Sequence, residues 1–316
     1  MYFIFNEPTF ASVGHAHPDK RGKAHSSLKG KVLFATSYKY VVKDGRKQPT
    51  YKGFFSTFGI DGNILQASVF DETGQLDEIT TYKYNNAGCI EECQTIKASG
   101  AQVSRFIFKY NREHLLCSSE WRSEDDEYCG THYYIYDSKG NLIEERWDSR
   151  TPYNRWKRIY IYDEKNQEIE MQEYKGQDNL FVRKNVQSYD SYGNVIKHVM
   201  IDSNGREEEL GANVYDETGK CIEYHYVLDR YDSIKYDVKG RVIEIRPSYS
   251  NEVLKVIYNE PFSTTIIRFN VENFAILGKQ EISYDIRGNI TSIIEYEGDD
   301  LRIVSSNLYN YMYYPD

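Results

Sequence analysis

The fold is decided by one short stretch in the middle of the chain, Tyr136-Asp137-Ser138-Lys139-Gly140-Asn141-Leu142-Ile143. Close copies of this motif begin at Tyr189, Tyr236 and Tyr284. Its aromatic first position recurs at intervals of 21 to 27 residues, at Phe58, Tyr84, Tyr110, Tyr136, Tyr162, Tyr189, Tyr215, Tyr236, Tyr258 and Tyr284. A regular period of this length indicates one repeat architecture rather than two unrelated domains.

Two residues of the motif predict a tight hairpin turn. Asp137 can accept hydrogen bonds from the backbone that follows it, and Gly140 can supply the left-handed conformation that closes a three-residue hairpin loop with a bulge. The units that begin at Tyr110 and Tyr162 carry His114 and Asn166 in place of this glycine, and both residue types tolerate positive φ. We assign a structural turn role to Asp137, Gly140, Asp190, Gly193, Asp237, Gly240, Asp285 and Gly288.

A second turn midway through several units makes each period two strands and two turns. The motif then pairs Tyr136 with Leu142 on one face of a hairpin, and Ile135 with Ile143 on the other. We expect the motif tyrosines to stack as an aromatic ladder, each pair contributing about 0.5–1 kcal/mol. A sheet of more than roughly ten strands does not stay flat. We therefore predict an all-β, antiparallel meander that forms a curled, spiralling or partly closed sheet.

Four segments follow from this pattern. We predict a polar N-terminal arm at 1–30, lead-in strands at 31–57, the repeat sheet at 58–300 and a capping segment at 301–316.

Composition narrows the possible partners and the compartment. The chain has 316 residues, 30 of them Tyr, and a net charge of -9, which disfavours nucleic acid as a ligand. No apolar run reaches membrane-spanning length, and Met1–Phe5 lacks the features of a signal peptide. We expect no membrane insertion and a cytoplasmic location, although a chain whose signal had been removed would look the same.

The repeated Tyr-Asp-x-x-Gly-Asn-x-Ile pattern resembles the YD repeat of the RHS family over about residues 58 to 295. That family includes teneurins and the shell subunits of insecticidal toxin complexes. The resemblance implies a β-sheet that acts as scaffold or container rather than catalyst. The sequence shows no self-cleaving core domain after the repeats, and in this it is more similar to the small free-standing bacterial members. The resemblance also implies an association with toxins, as an immunity or chaperone-like partner.

We expect no metal, no cofactor and no enzymatic activity. The chain lacks hydrolase, phosphate-loop and dinucleotide motifs. Cys89-x-x-x-Cys93 favours reduced thiols over zinc, and His15, His17 and His25 favour a solvated arm over a metal site. The acidic run Glu124–Glu127 is a solvated loop or, alternatively, a cation or docking site.

One segment breaks the repeat with an unusual composition. Two of the three Trp and five basic residues lie between Arg146 and Arg158 in an otherwise acidic chain. A turn centred after Thr151 would place Trp147 and Trp156 directly opposite each other. This is either a cross-strand aromatic pair with solvated arginines, a protein-interface hot spot, or a platform for a sugar. The candidate binding residues are Arg146, Trp147, Arg150, Tyr153, Arg155, Trp156 and Arg158.

The leading functional hypothesis is a non-enzymatic binding or scaffold protein that presents a curved β-repeat surface to a protein partner. The alternative is a carbohydrate-binding protein with an aromatic-rich concave face.

Overall fold

The computed structural model describes residues 28, 30–43, 46–49, 53–71, 73–226, 230–298 and 301–315. These residues form 23 β-strands and two short 3-10 turns, which confirms the predicted all-β antiparallel meander. The chain divides into two compact units. The first holds the described residues up to Cys129, Tyr258–Ile266 and those from Gly278 onward; the second holds Gly130–Ile257 and Ile267–Leu277.

The first unit contains an antiparallel sheet. Its strands are β1 (Val32–Lys43), β2 (Arg46–Pro49), β3 (Gly53–Phe58), β4 (Ile64–Phe70), β5 (Leu76–Tyr84), β6 (Ile90–Lys97), β7 (Gln102–Tyr110) and β8 (Leu116–Arg122). Strands β22 (Ile290–Glu297) and β23 (Arg302–Tyr313) belong to the same unit. Strands β20 (Ser263–Asn270) and β21 (Ile276–Tyr284) contribute residues to both units.

The first and last strands of the described residues pair within the first unit. Strand β1 pairs with β3 on one side and with β23 on the other, where Ala35 lies opposite Tyr311. The Tyr314 hydroxyl also donates to the carbonyl of Phe58 over 2.9 Å. The prediction of a curled, spiralling or partly closed sheet is therefore wrong in its openness, because β23 (Arg302–Tyr313) pairs with β1 and no open strand edge is left between them.

The second unit continues the meander with eleven strands. They are β9 (Tyr128–Tyr136), β10 (Leu142–Ser149), β11 (Trp156–Tyr162), β12 (Glu168–Lys175), β13 (Leu180–Tyr189), β14 (Val195–Asp202), β15 (Glu207–Tyr215), β16 (Cys221–Tyr226), β17 (Tyr231–Tyr236), β18 (Val242–Pro247) and β19 (Glu252–Asn259). Each strand from β9 to β18 pairs with the next one in sequence. The predicted polar arm, with His15, His17 and His25, lies outside the described residues apart from Leu28 and Gly30.

An Asp and a Gly of the motif close the turn that follows Tyr136 and the turns of its close copies. Asp137 Oδ1 accepts hydrogen bonds from the backbone N–H groups of Lys139 (2.8 Å) and Asn141 (2.9 Å). Gly140 has a φ of 83°, a conformation that glycine adopts without strain. His114 and Asn166 adopt φ values of 60° and 63° at the equivalent position. The same arrangement recurs at Asp190/Gly193, Asp237/Gly240 and Asp285/Gly288.

In the second unit a β-bulge follows each motif turn. The bulged hairpins are β9–β10, β11–β12, β13–β14, β15–β16 and β17–β18. Leu142 pairs with Tyr136, as predicted, but the next pair is Glu144 with Ile135. The predicted pairing of Ile135 with Ile143 is wrong, because Ile143 is the extra residue of the bulge. Bulges increase local twist, which a many-stranded meander needs.

The motif tyrosines connect successive hairpins through their hydroxyl groups. The Tyr162 hydroxyl donates a hydrogen bond to the carbonyl of Leu142 over 2.9 Å. Leu142 is the first residue of β10, the second strand of the preceding hairpin. The motif tyrosines thus form a ladder of hydrogen bonds to the backbone. Equivalent bonds run from Tyr84 to Ile64, Tyr110 to Ile90, Tyr189 to Glu168, Tyr215 to Val195 and Tyr236 to Cys221.

The face that carries these tyrosines, here called the tyrosine face, differs between the two units. In the first unit it is apolar, with Tyr82, Cys93 and Phe106 buried in one cross-strand row. Burial raises the pKa of the Cys93 thiol to about 12, so this cysteine is an inert core residue. In the second unit the corresponding face is lined by charged residues such as Arg158 and Glu173, which lie opposite each other.

Candidate functional site

Arg155 bridges the hairpin end between β10 and β11. Its Nε lies 2.9 Å from Asp148 Oδ1 and donates to the carbonyl of Ser149 over 3.1 Å. A short 3-10 turn at Pro152–Asn154 carries Tyr153 outward, where 79% of this side chain is exposed. The hairpin end therefore presents a large, exposed aromatic ring.

Trp147 and Trp156 lie directly opposite each other on the tyrosine face. The His132 ring meets both of them edge-on, with centroid distances of 4.5 Å and 5.3 Å. Trp147 also covers Gly130, where an added Cβ would lie 2.5 Å from the indole ring. The guanidinium of Arg158 lies 4.8 Å from the Trp156 ring centroid. Both indole rings are thus half-buried and already packed against neighbours.

A network of ion pairs lies beside the tryptophans on the same face. Arg158 lies 3.8 Å from both Glu145 and Glu173, and Arg183 donates to Glu173 over 3.1 Å. Burial disfavours the charged form of Glu173, but hydrogen bonds from Arg183 and Lys175 outweigh it, so the pKa of Glu173 is lowered. Arg158 thus lies between two carboxylates, and its Nε is buried with no hydrogen-bond partner among the described residues.

The opposite face of the same hairpins carries a continuous row of five residues across β9 to β13. Tyr133, Arg146, Lys157, Tyr174 and Phe181 lie directly opposite one another in turn. Arg146 lies over the Tyr133 ring at 4.6 Å, and Lys157 lies over the Tyr174 ring at 5.1 Å. The Phe181 ring meets Tyr174 edge-on at 5.7 Å. We call these five residues the cation–aromatic row.

Two exposed aliphatic side chains lie on the same face as the cation–aromatic row. Ile135, two residues from Tyr133, is 44% exposed, and Ile161, four residues from Lys157, is 39% exposed. The Arg146 side chain is itself 49% exposed. Aromatic residues and arginine contribute most of the binding energy in protein interfaces, and exposed apolar patches mark such interfaces.

The structure distributes the seven predicted site residues over three places. Trp147, Trp156 and Arg158 lie on the tyrosine face, and Arg146 lies on the opposite face in the cation–aromatic row. The hairpin end holds Arg150, Tyr153 and Arg155.

Sequence reasoning missed most of the cation–aromatic row. Tyr133, Tyr174 and Phe181 stand on other strands and lie 13, 16 and 23 residues outside the Arg146–Arg158 segment. The only sequence signal for these three residues is the alternation of side chains along a strand. Residues that lie opposite each other on paired strands share a face of the sheet. This rule identifies the row only when the pairing register of the strands is known. The bulge at Leu142–Ile143 shifts the register of β9 and β10 by one residue.

The acidic run at Glu124–Glu127 forms the turn between β8 and β9. Its Asp126 lies 3.6 Å from both Arg105 and Arg122. In the described part of the chain, no group of three or more His, Cys, Asp or Glu side chains is arranged to hold a metal ion. Within the same residues, no helix is long and apolar enough to cross a membrane.

Comparison with known proteins does not assign the chain to a family. No family model matches it, and no curated protein matches it. A Photorhabdus luminescens Tc holotoxin pore is 15% identical with a TM-score of 0.33, over 86% of this chain and 18% of that one. TcdB2-TccC3 without its hypervariable C-terminal region is 14% identical with a TM-score of 0.33, over 89% and 19%. A porin-like protein from Bacteroides uniformis is 8% identical with a TM-score of 0.31, over 90% and 98%. The chain thus spans about a fifth of the two toxin chains.

Proposed function

We propose that this chain is a non-enzymatic binding protein that holds the cation–aromatic row against a protein partner. The observation that carries the proposal is the row itself, with Arg146 over Tyr133 and Lys157 over Tyr174 on one exposed face. Five strands spaced about 4.8 Å apart give a row roughly 19 Å long. That length fits the central part of a standard protein interface, which buries about 800 Å² on each partner.

The partner's surface is expected to be acidic. Arg146 and Lys157 occupy adjacent central positions of the row, and the aromatic rings beneath them hold both cations in place. Preorganised cations lose less side-chain freedom when a carboxylate binds them. The flanking Ile135 and Ile161 would add apolar contacts around this charged centre.

The sugar-binding alternative ranks second. Stacking on a sugar requires an open indole face, whereas His132 packs against both Trp147 and Trp156, and Arg158 covers Trp156. The exposed Tyr153 is the remaining aromatic platform at this hairpin end.

The proposal includes membership of the YD-repeat proteins and a toxin-associated role. It rests on the repeated motif and on the turn, bulge and tyrosine geometry that the motif produces at Asp137, Gly140 and Tyr162. A cytoplasmic location is part of the same proposal, and fractionation of cells that express the native gene tests it.

The test is affinity capture of the tagged chain from native cells, with quantitative mass spectrometry of the bound proteins. The double variant Arg146→Glu/Lys157→Glu is expected to lose a stoichiometric partner that the parent retains. Arg112→Glu/Lys165→Glu makes the same change of charge on two exposed turn residues and is the matched control.

Three results would contradict the proposal. Equal retention of the partner by both double variants would show that the row is not the interface. Glycan-array binding that disappears in Trp147→Ala would favour the sugar alternative. Turnover of a substrate by the purified chain would overturn the non-enzymatic assignment.

A further inference from the structure

Three tyrosine rings form a cluster at the far end of the second unit's meander. Tyr224 and Tyr226 stand on β16, with ring centroids 4.8 Å apart and an interplanar angle of 61°. Tyr249, in the turn after β18, meets Tyr226 at 6.3 Å and 84°. The three side chains are 44%, 40% and 48% exposed. Neighbouring rings are therefore steeply inclined to each other, and all three side chains are partly exposed to solvent.

A buried carboxylate lies beside these rings. Asp232, on β17, is 5% exposed, and its Oδ2 accepts a hydrogen bond from the Tyr226 hydroxyl over 2.8 Å. Its Oδ1 is buried and has no hydrogen-bond partner among the residues that the structure describes. Burial, followed by the charge of Asp232 and a hydrogen bond with its side chain, raises the pKa of Tyr249, so this hydroxyl lies beside the same carboxylate. A buried carboxylate is costly unless a positive charge compensates it.

We propose that Tyr224, Tyr226 and Tyr249 form an aromatic cage for a methylated ammonium group, with Asp232 as its counter-charge. Aromatic faces attract cations through the ring quadrupole, and aromatic cages recognise quaternary ammonium groups in this way. A methylated ammonium cannot satisfy a shell of hydrogen-bond acceptors, so ring faces and one nearby carboxylate suit it better than a set of carbonyl groups. The site is independent of the cation–aromatic row, which lies on β9 to β13.

The chain itself supplies a competitor for one wall of the cage. The Arg230 guanidinium lies 5.6 Å from the centroid of the Tyr249 ring. This contact shows that the ring face already attracts a cation. If the three rings served only Arg230, no external ligand would bind. If they form a ligand cage, removing the guanidinium frees the Tyr249 wall and lowers the repulsion of an incoming cation.

The test is a calorimetric titration of the full chain with choline chloride and with 3,3-dimethyl-1-butanol, the neutral carbon isostere of choline. The parent is expected to bind choline at least about tenfold more tightly than the isostere, because the positive charge adds to the same apolar contact. Asp232→Asn is expected to weaken choline binding about tenfold through loss of the counter-charge. Arg230→Gln is expected to strengthen it about twofold or more.

Matched variants separate binding from folding. Tyr226→Phe keeps the ring and loses only the hydroxyl that contacts Asp232, so it is expected to retain choline binding, whereas Tyr226→Ala is expected to abolish it. Tyr192→Ala, at an 85% exposed tyrosine on a different turn, is expected to change nothing. Thermal melts of each variant confirm that it is folded.

The source of the ammonium group is distinguished by two further probes, a trimethyl-lysine peptide and phosphatidylcholine vesicles. Tighter binding of one of these than of choline identifies a methylated protein or a lipid headgroup as the natural ligand. Equal binding of choline and its neutral isostere would overturn the proposal. Absence of choline binding in both the parent and Arg230→Gln would overturn it as well.

Discussion

Replacing motif tyrosines by phenylalanine tests whether the hydroxyl groups or the rings connect the hairpins. In the second unit, Tyr162, Tyr189, Tyr215 and Tyr236 each donate one hydrogen bond to a backbone carbonyl, at distances of 2.6–3.0 Å. A half-buried hydrogen bond contributes about 1 kcal/mol. Successive tyrosines stand two strands apart, roughly 10 Å, so their contributions should be nearly additive. The quadruple Tyr→Phe variant is therefore expected to lose about 4 kcal/mol of unfolding free energy.

Urea unfolding followed by tryptophan fluorescence measures this loss. With a slope of about 2–3 kcal/mol per molar urea, the midpoint should fall by roughly 1.5 M. Tyr192→Phe, at a tyrosine 85% exposed in a turn, is the control and should leave the midpoint unchanged. Because phenylalanine keeps the rings, an account based on ring stacking expects almost no change. A quadruple variant within about 0.5 kcal/mol of the parent would refute the hydrogen-bonded ladder.

Three further outcomes follow from single sites. Asn166→Gly should be neutral or slightly stabilising, whereas Asn166→Ala should cost about 1 kcal/mol in urea unfolding, because the φ of 63° suits glycine and strains alanine. Gly130→Ala should cost about 1–3 kcal/mol and shift the emission of Trp147, since the new Cβ would lie 2.5 Å from the indole; unchanged emission would contradict that contact. In the folded chain burial acts to raise the pKa of Glu173, but the hydrogen bonds from Arg183 and Lys175 outweigh burial, so the folded pKa is lowered. In the unfolded chain the pKa of a Glu side chain is about 4.3. Glu173 should therefore stabilise the fold above about pH 4.3 and lose that contribution as the pH falls through its lower folded pKa, and Glu173→Gln should flatten this part of the stability profile.

The turns and the strand pairing next to them could be predicted from the sequence because local chemistry determines them. Asp137 and Gly140 specify one turn geometry, and that geometry places Tyr136 opposite Leu142. The turn chemistry predicts a bulge at the glycine, but the extra residue at Ile143 could not be predicted, because Ile143 continues the apolar alternation as well as a paired residue would. The pairing of β1 with β23 joins segments about 270 residues apart, and no local pattern specifies it.

The candidate site was predictable only in part for a related reason. The composition around Arg146 marked the correct hairpin, and the structure places Trp147 opposite Trp156. Composition does not indicate which face a side chain occupies, so Arg146 was grouped with tryptophans that lie on the other face. Its actual neighbour, Tyr133, comes from another strand and is placed beside it by the register.

The central claim is that the cation–aromatic row binds an acidic surface of a protein partner. Its most direct test is the dissociation constant of the chain and its captured partner, measured with purified proteins at low and high salt. The account predicts that Arg146→Glu/Lys157→Glu weakens binding at least about a hundredfold at low salt, and that Arg112→Glu/Lys165→Glu has little effect. Equal dissociation constants for the two double variants would contradict it.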